Sequence, residues 1–243
     1  MLDHLFLDTV GALRAALDQS LLDRAAQDDH LTSDLLTGDL AWETSVSLPG
    51  DGDPPRVSAD VSLDWPTWSQ SAWRALALGE PVEDPPEIGI EVVFRAQRLA
   101  SRPALGKVLS ALPPDGPSIG GDSLARSAPV VEEAYEEEGG PAEFAVEVAY
   151  EGGYRLPAEA TAHEGGEPWA GELPDGTALP AWGTRKLSSG DGQRSRAATT
   201  RQLRAVTEAT LSSLGAWVAS TLVRLADLDL DYLPPPEPDE EPS

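Results

Sequence analysis

The stretch LAWETSVSLPGDGDPPRVSADVSL, residues 40–63, decides the fold class of this chain. From residue 40 to 48, apolar side chains or threonine occupy every second position, with small or polar residues between them. The same alternation returns over residues 57–63. A period of two is typical of a β-strand with one buried face and one solvated face. Segment 49–55 is rich in proline, glycine and aspartate and favours a turn, so the sequence predicts an antiparallel hairpin.

Three further strands are predicted outside this hairpin. Residues 88–97, IGIEVVFRAQ, carry apolar or small side chains at every second position and form the third strand. Residues 144–150 repeat the pattern as the fourth strand. The sequence EGG at 151–153 predicts a turn into a weaker fifth strand over residues 154–162. Because each clear strand has one polar face, we expect an antiparallel sheet of about five strands with one face left in water.

Two long amphipathic helices are predicted towards the ends of the chain. Residues 2–24 and 200–226 carry apolar side chains at three- and four-residue spacing, which gathers these side chains on one helical face. A shorter helix is expected over residues 68–78, because a capping-box pattern precedes it. The polar residues 28–39 are expected to form a loop. The prediction is an α+β fold, in which the long N- and C-terminal helices cover one face of a mainly antiparallel sheet.

The chain is expected to form a single α+β domain over residues 1–228. The alternative is two halves, 1–100 and 140–228, joined by an acidic excursion rich in proline and glycine that includes a helical turn at 104–112. Residues 229–243 are acidic and proline-rich and are expected to be a disordered tail.

The chain is strongly acidic, since 17 Lys and Arg residues face 42 Asp and Glu residues and leave a formal net charge of −25 at pH 7. A field of this sign repels nucleic-acid phosphates and anionic membranes, so any nucleic-acid contact must be local. There is no cysteine, which removes disulfides and thiolate metal sites. No apolar run approaches the ~20 residues of a membrane span. We therefore expect a cytoplasmic protein, and the scarcity of lysine is typical of a high-GC bacterial or a salt-adapted archaeal source.

We predict no catalytic, cofactor-binding or metal-binding site. GPSIG, residues 116–120, matches the nucleophile-elbow pattern of hydrolases, but prolines precede it where a buried strand is required, so a surface turn is expected. HEGGE, residues 163–167, resembles a zinc-binding helix, yet its two glycines and Pro168 oppose the helical turn that would align the ligands. DGD, residues 51–53, offers carboxylates to a hard cation without the rest of a calcium loop.

Four of the seven tryptophans are predicted contact residues. Trp42, Trp68 and Trp217 lie on the apolar faces of their predicted elements and are expected in the core. The other four border loops rich in proline and glycine, where an aromatic ring either packs at the edge of a core or anchors a partner protein. These four partner-binding candidates are Trp65, Trp73, Trp169 and Trp182.

One segment reverses the overall charge. Residues 185–204 contain one acidic residue, Asp191, and six basic residues, which are Arg185, Lys186, Arg194, Arg196, Arg201 and Arg204. Three interpretations stay open: a local anion or nucleic-acid contact at a helix N-terminus, an electrostatic partner for the acidic run 132–138, and an exposed loop whose arginines meet scattered carboxylates. The six basic residues are therefore further partner-binding candidates.

These observations favour a non-enzymatic protein that binds other protein subunits or itself. It would act as a subunit, adaptor or assembly factor of a larger cytoplasmic complex, phage-like or defence-related in type. The alternative hypothesis is a small-molecule-binding or enzymatic domain with an apolar pocket between the sheet and the C-terminal helix. The third hypothesis is nucleic-acid contact through residues 185–204. No cofactor and no membrane association are expected.

Overall fold

The computed structural model describes residues 2–33, 39–50, 54–66, 71–73, 75, 82–83, 85–119, 122–134, 142–155 and 192–234. Over residues 192–206 the description covers the helix backbone only. The helices are α1 (Leu2–Leu21), which is followed by a short 3-10 helix (Leu22–Arg24), α2 (Leu105–Ala111) and α3 (Gly192–Ala226), and residues 71–73 and 75 are also helical. The strands are β1 (Ala26–Ser33), β2 (Leu40–Leu48), β3 (Val57–Trp65), β4 (Glu87–Leu99), β5 (Asp115–Ile119), β6 (Asp122–Arg126), β7 (Val130–Ala134) and β8 (Glu143–Arg155).

The strands form one antiparallel sheet in the order β1-β2-β3-β4-β8-β6-β5, and β7 also pairs with β8. The predicted α+β class with a mainly antiparallel sheet is confirmed. The predicted number of about five strands is too low, because the described residues contain eight. Strands β4 and β8 come from opposite sides of the acidic excursion and pair directly with each other.

The strands predicted from alternation are confirmed, and the hairpin of β2 and β3 has the expected antiparallel register, with Thr44 opposite Val61. Helix α2 lies where the helical turn was expected. Helix α3 begins at Gly192, before the predicted start at residue 200. The inner positions of β3 and β4 are buried almost without exception, as the period of two requires.

Strand β1 lies where the sequence predicted the start of a polar loop, so that prediction is wrong over residues 28–33. The inner side of β1 is polar and is held by hydrogen bonds rather than by apolar packing. The Thr44 hydroxyl donates to Asp29 Oδ1 at 2.6 Å, and Gln27 Nε2 donates to the same oxygen at 3.0 Å. Arg14 on α1 forms an ion pair of 2.9 Å with the other Asp29 oxygen. This network attaches β1 to both the sheet and α1. Because polar side chains make these contacts, the sequence of β1 shows no apolar alternation.

The glycines at 152 and 153 do not form the predicted turn, because β8 continues through them to Arg155. Gly152 has a close neighbour instead: a Cβ atom placed there would lie 2.7 Å from a Leu124 methyl group of β6. Glycine within a strand marks a close approach of this kind. The predicted turn at 151–153 is therefore wrong, and residues 156–162 of the predicted fifth strand lie outside the described residues.

Strands β5 and β6 correct a third prediction. GPSIG was expected to be a surface turn, but Gly116–Ile119 belongs to β5, and Ser118 is paired with Ser123 of β6. Part of the acidic run 132–138 is likewise strand, since Glu132 and Glu133 lie in β7. The DGD motif at 51–53 and the HEGGE motif lie outside the described residues.

The start of the predicted disordered tail pairs with the sheet. The Ala100 amide donates to the Asp231 carbonyl oxygen at 2.7 Å, and the Leu233 amide donates to the Arg98 carbonyl oxygen at 2.7 Å. Tyr232 forms a bridge with Leu99 at the end of β4. The order found over residues 229–234 differs from the prediction, because these backbone groups extend the sheet where β4 ends.

Helices α1 and α3 pack against each other and cover one face of the sheet. Phe6 of α1 meets Trp65 of β3 edge-to-face with 5.5 Å between ring centroids, and Trp217 of α3 meets Phe94 of β4 in the same way at 5.4 Å. The apolar stripes of both helices are buried; their buried members are Phe6, Leu13, Leu17, Leu21, Leu211, Leu214, Val218, Ala219, Leu222 and Leu225. The predicted helical cover on one face is thus present in the described residues.

The two helices approach most tightly at Gly215. A Cβ atom at this position would lie 2.7 Å from the Leu13 carbonyl oxygen and 3.0 Å from the Ala16 Cβ atom. Because the Leu13 oxygen is a backbone atom, it cannot move aside without moving α1. The absence of a side chain at Gly215 therefore sets the separation of the helices.

Replacing Gly215 with alanine should lower the free energy of unfolding by about 1–3 kcal/mol, as overpacking of a tight contact does. Alanine normally stabilises a helix relative to glycine, by about 0.5–1 kcal/mol. Gly11→Ala is the matched control, because Gly11 is helical and its added Cβ meets no atom within 4 Å. Urea unfolding of both variants tests this, and a more stable Gly215→Ala protein would contradict the close approach.

Candidate functional site

The face of the sheet opposite the helices is the candidate site, and we call it the outer face. It is formed by the alternate residues of β1 to β4 and β8 that point away from the core. Its centre consists of Glu43, Ser45, Asp60, Ser62, Glu91, Val93, Ala149 and Glu151, all of which are exposed or half-buried. No described helix covers this centre.

The strand register brings four carboxylates together on the outer face. Glu43 is opposite Ser62, Ser62 is opposite Glu91, and Glu91 is opposite Glu151. Asp60 lies two residues from Ser62 on β3 and is therefore diagonal to both Glu43 and Glu91. We call Glu43, Asp60, Glu91 and Glu151 the acidic row.

Along the pairing of β4 with β8, the two acidic-row residues Glu91 and Glu151 differ from the charged pairs on either side of them. At one end, Glu87 is opposite Arg155 and forms an ion pair of 2.5 Å. Towards the other end, Arg95 is opposite Glu147 and forms a second ion pair. Between them the like charges of Glu91 and Glu151 are directly opposite, an arrangement that destabilises a sheet.

The acidic row is not neutralised by the described part of the chain. None of its four carboxylates forms an ion pair with another described residue. His30 at the edge of the outer face lies 3.2 Å from Asp28, on its own strand. Within the described part of the chain, the negative charge at the centre of the outer face therefore has no ion-pairing partner.

A shallow groove of about 300 Å³ runs over the acidic row. Its lining includes three of the four carboxylates, together with the hydroxyls of Ser45 and Ser62 and the apolar side chain of Val93. His30 closes the groove at the β1 edge. The groove offers hydrogen-bond acceptors, negative charge and one apolar contact, which suits a cationic side chain with an aliphatic stem.

Two of the four candidate tryptophans are described, and both are buried. The exposed fraction is 1% for Trp65 and 2% for Trp73. Their rings stack at 4.8 Å, and Trp73 Nε1 donates to the Pro66 carbonyl oxygen at 2.8 Å. These contacts match the core-packing alternative, and neither ring is accessible to a partner in this structure. Trp169 and Trp182 lie outside the described residues.

The basic candidates are placed only in part. Arg185 and Lys186 lie outside the described residues, whereas Arg194, Arg196, Arg201 and Arg204 lie on the backbone of α3. Because residues 192–204 are helical, they do not form the exposed loop that one of the three interpretations expected. Contact of these residues with nucleic acid or with the acidic run stays a prediction.

The described residues contain no group of three or more His, Asp or Glu side chains able to share a metal ion. Burial raises the pKa of Tyr150, and the nearby Arg126 opposes this shift in part. The Tyr150 hydroxyl donates to the Pro113 carbonyl oxygen at 2.6 Å, and Arg126 donates to the same oxygen at 3.1 Å. A protonated tyrosine that donates to a backbone carbonyl anchors the chain after α2; it is not arranged as a general base.

The space between the sheet and α3 is filled by aromatic rings. Phe94, Tyr150 and Trp217 meet edge-to-face with centroid separations of 5.1–5.8 Å. Phe94 and Tyr150 are fully buried. This packing occupies the region in which the small-molecule hypothesis places an apolar pocket, so the described geometry favours contacts on the outer face.

Sequence alternation predicted a polar outer face but not the acidic row. The period of two shows that Glu43, Asp60, Glu91 and Glu151 point away from the core once each strand is assigned. Their juxtaposition depends on the register between strands, and the pairing of β4 with β8 joins residues 60 positions apart at Glu91 and Glu151. Register over that separation leaves no local signal in the sequence.

Replacing Glu151 with glutamine should raise the free energy of unfolding by about 0.2–1 kcal/mol, because it removes the repulsion from Glu91. The gain should shrink in high salt, where exposed charges are screened. Glu147→Gln is the control on the same strand, and it should destabilise because it breaks the pair with Arg95. Chemical unfolding at low and high salt tests both, and a less stable Glu151→Gln protein would contradict the repulsion.

Burial raises the pKa of Tyr154, while the hydroxyls of Thr207 and Thr210 on α3 lower it in part. The unfolded chain therefore loses this proton before the folded chain does. The free energy of unfolding should be unaffected below about pH 10 and should fall as pH rises above that value. A Tyr154→Phe variant should show a shallower fall, which unfolding curves across this range would measure. Equal slopes for the two proteins would contradict the role of Tyr154.

No helix in the described ranges is long and apolar enough to cross a membrane. Comparison with known proteins found no matching protein family, no matching curated protein and no matching solved structure.

Proposed function

We propose that this chain is a non-enzymatic protein-binding subunit, adaptor or assembly factor of a larger complex. The observation that carries this proposal is the outer face: a sheet surface left uncovered by the described helices, with four carboxylates at its centre that no described residue neutralises. A layer of this kind supplies a rigid frame on which exposed side chains keep fixed positions.

The charge distribution supports protein binding over the other hypotheses. The net charge of −25 opposes the approach of nucleic acids and anionic membranes. The aromatic packing beneath α3 fills the region where a ligand would otherwise enter. A cytoplasmic location, as in a bacterial cell, fits a chain of 243 residues without any cysteine.

The native mass of the protein in a lysate of its own host tests this proposal. We expect the chain, of 25.7 kDa, to migrate in a larger species at low salt and to give cross-linked products with a distinct partner or with itself. Purified chain alone serves as the reference for self-association. A lone monomer in the lysate, without any cross-linked product, would contradict the proposal.

A further inference from the structure

The acidic row differs from the general acidity of the chain because the fold concentrates it. Glu91 and Glu151 are exposed and directly opposite each other, with Glu43 in the same row across β3 and Asp60 diagonal to it. The same ladder contains two opposite-charge pairs, so opposite charges are compatible with this sheet. A repulsion placed between them is relieved when a positive group binds.

The spacing of the acidic row indicates several cationic groups instead of one ion. Adjacent strands are about 4.8 Å apart, so the row from β2 to β8 extends about 14 Å across the sheet. Within the described chain no three acidic or histidine side chains converge on a common point. Alternate residues of an extended chain lie about 6.6 Å apart, so three cationic side chains on one face of a polypeptide extend over about 13 Å, close to the length of the row.

The chemistry of the groove favours the binding of arginine or lysine side chains. Val93 is opposite Asp60 and offers an apolar surface to an aliphatic stem, while Ser45 and Ser62 offer hydroxyl oxygens to a cationic head. A second copy of this chain is a poor occupant, since a symmetric contact through the outer face would set one acidic row against another. Phosphate-bearing ligands are repelled for the same reason.

We propose that the outer face binds a basic polypeptide segment of a partner protein, whose arginine or lysine side chains pair with Glu43, Asp60, Glu91 and Glu151. This inference rests on the proposed function and adds the chemistry of the partner to it. Binding neutralises the like-charge pair of Glu91 and Glu151, and the groove seats the cationic stems.

The test uses the full chain and a labelled peptide of about ten residues with arginine at alternate positions, long enough to cross the row. The test variant is Glu43→Gln/Glu91→Gln/Glu151→Gln. The matched control is Asp18→Asn/Asp227→Asn/Asp229→Asn, which removes the same charge from exposed positions on α1 and after the end of α3. Circular dichroism verifies that both variants remain folded.

We expect the test variant to bind the peptide about tenfold more weakly, as the loss of three exposed charge pairs implies. The control should change affinity less than about twofold, because its carboxylates do not line the groove. The test variant should also be more stable than the natural chain, which separates weaker binding from misfolding.

Equal losses in both variants would assign the binding to the overall charge and overturn the proposal, as would an absence of binding by the natural chain at low salt. Binding that appears only after Arg185, Lys186, Arg194 and Arg196 are replaced would make the chain's own basic segment the occupant and would also overturn it. Neither result changes the native mass of the protein in its host lysate. The proposed function is therefore tested separately from this inference.

Discussion

The close packing of α1 and α3 over one face of the sheet is the constraint on which the rest of the structure depends. The two helices meet at Gly215, where the Leu13 carbonyl oxygen leaves no room for a side chain. Their apolar stripes then lie over the inner face of the sheet, and the rings of Trp65, Phe94 and Tyr150 fill the space between them. Because both long helices lie on this side, neither of them covers the outer face.

Most of the fold was predictable wherever one face of an element is apolar. Strands β2, β3 and β4 follow from alternation and the two long helices from three- and four-residue spacing, since burial of one face dictates each pattern. Strand β1 was missed because Gln27, Asp29 and Thr44 hold its inner side by hydrogen bonds. The turn at 151–153 was wrong because Gly152 makes room for Leu124, a contact between distant parts of the chain.

The candidate site was predictable only as a polar surface. The sequence placed Glu43 and Glu91 on the polar faces of predicted strands and Glu151 in a predicted turn, but the like-charge pair exists only because β4 and β8 pair in one register. The tryptophans show the converse: Trp65 and Trp73 border proline-rich segments, yet their rings stack inside the core. Local composition therefore indicated where rings and charges occur, and long-range pairing determined which of them are buried and which are exposed.

The central claim is that the uncovered, acidic side of the sheet makes the contacts of this protein. The most direct measurement is an NMR titration of the labelled full chain with an arginine-rich peptide. Our account predicts saturating shift changes for the amides around Ser62, Glu91 and Glu151, with little change in α1. Changes concentrated in α1 and α3, or spread evenly over all exposed acidic residues, would contradict it.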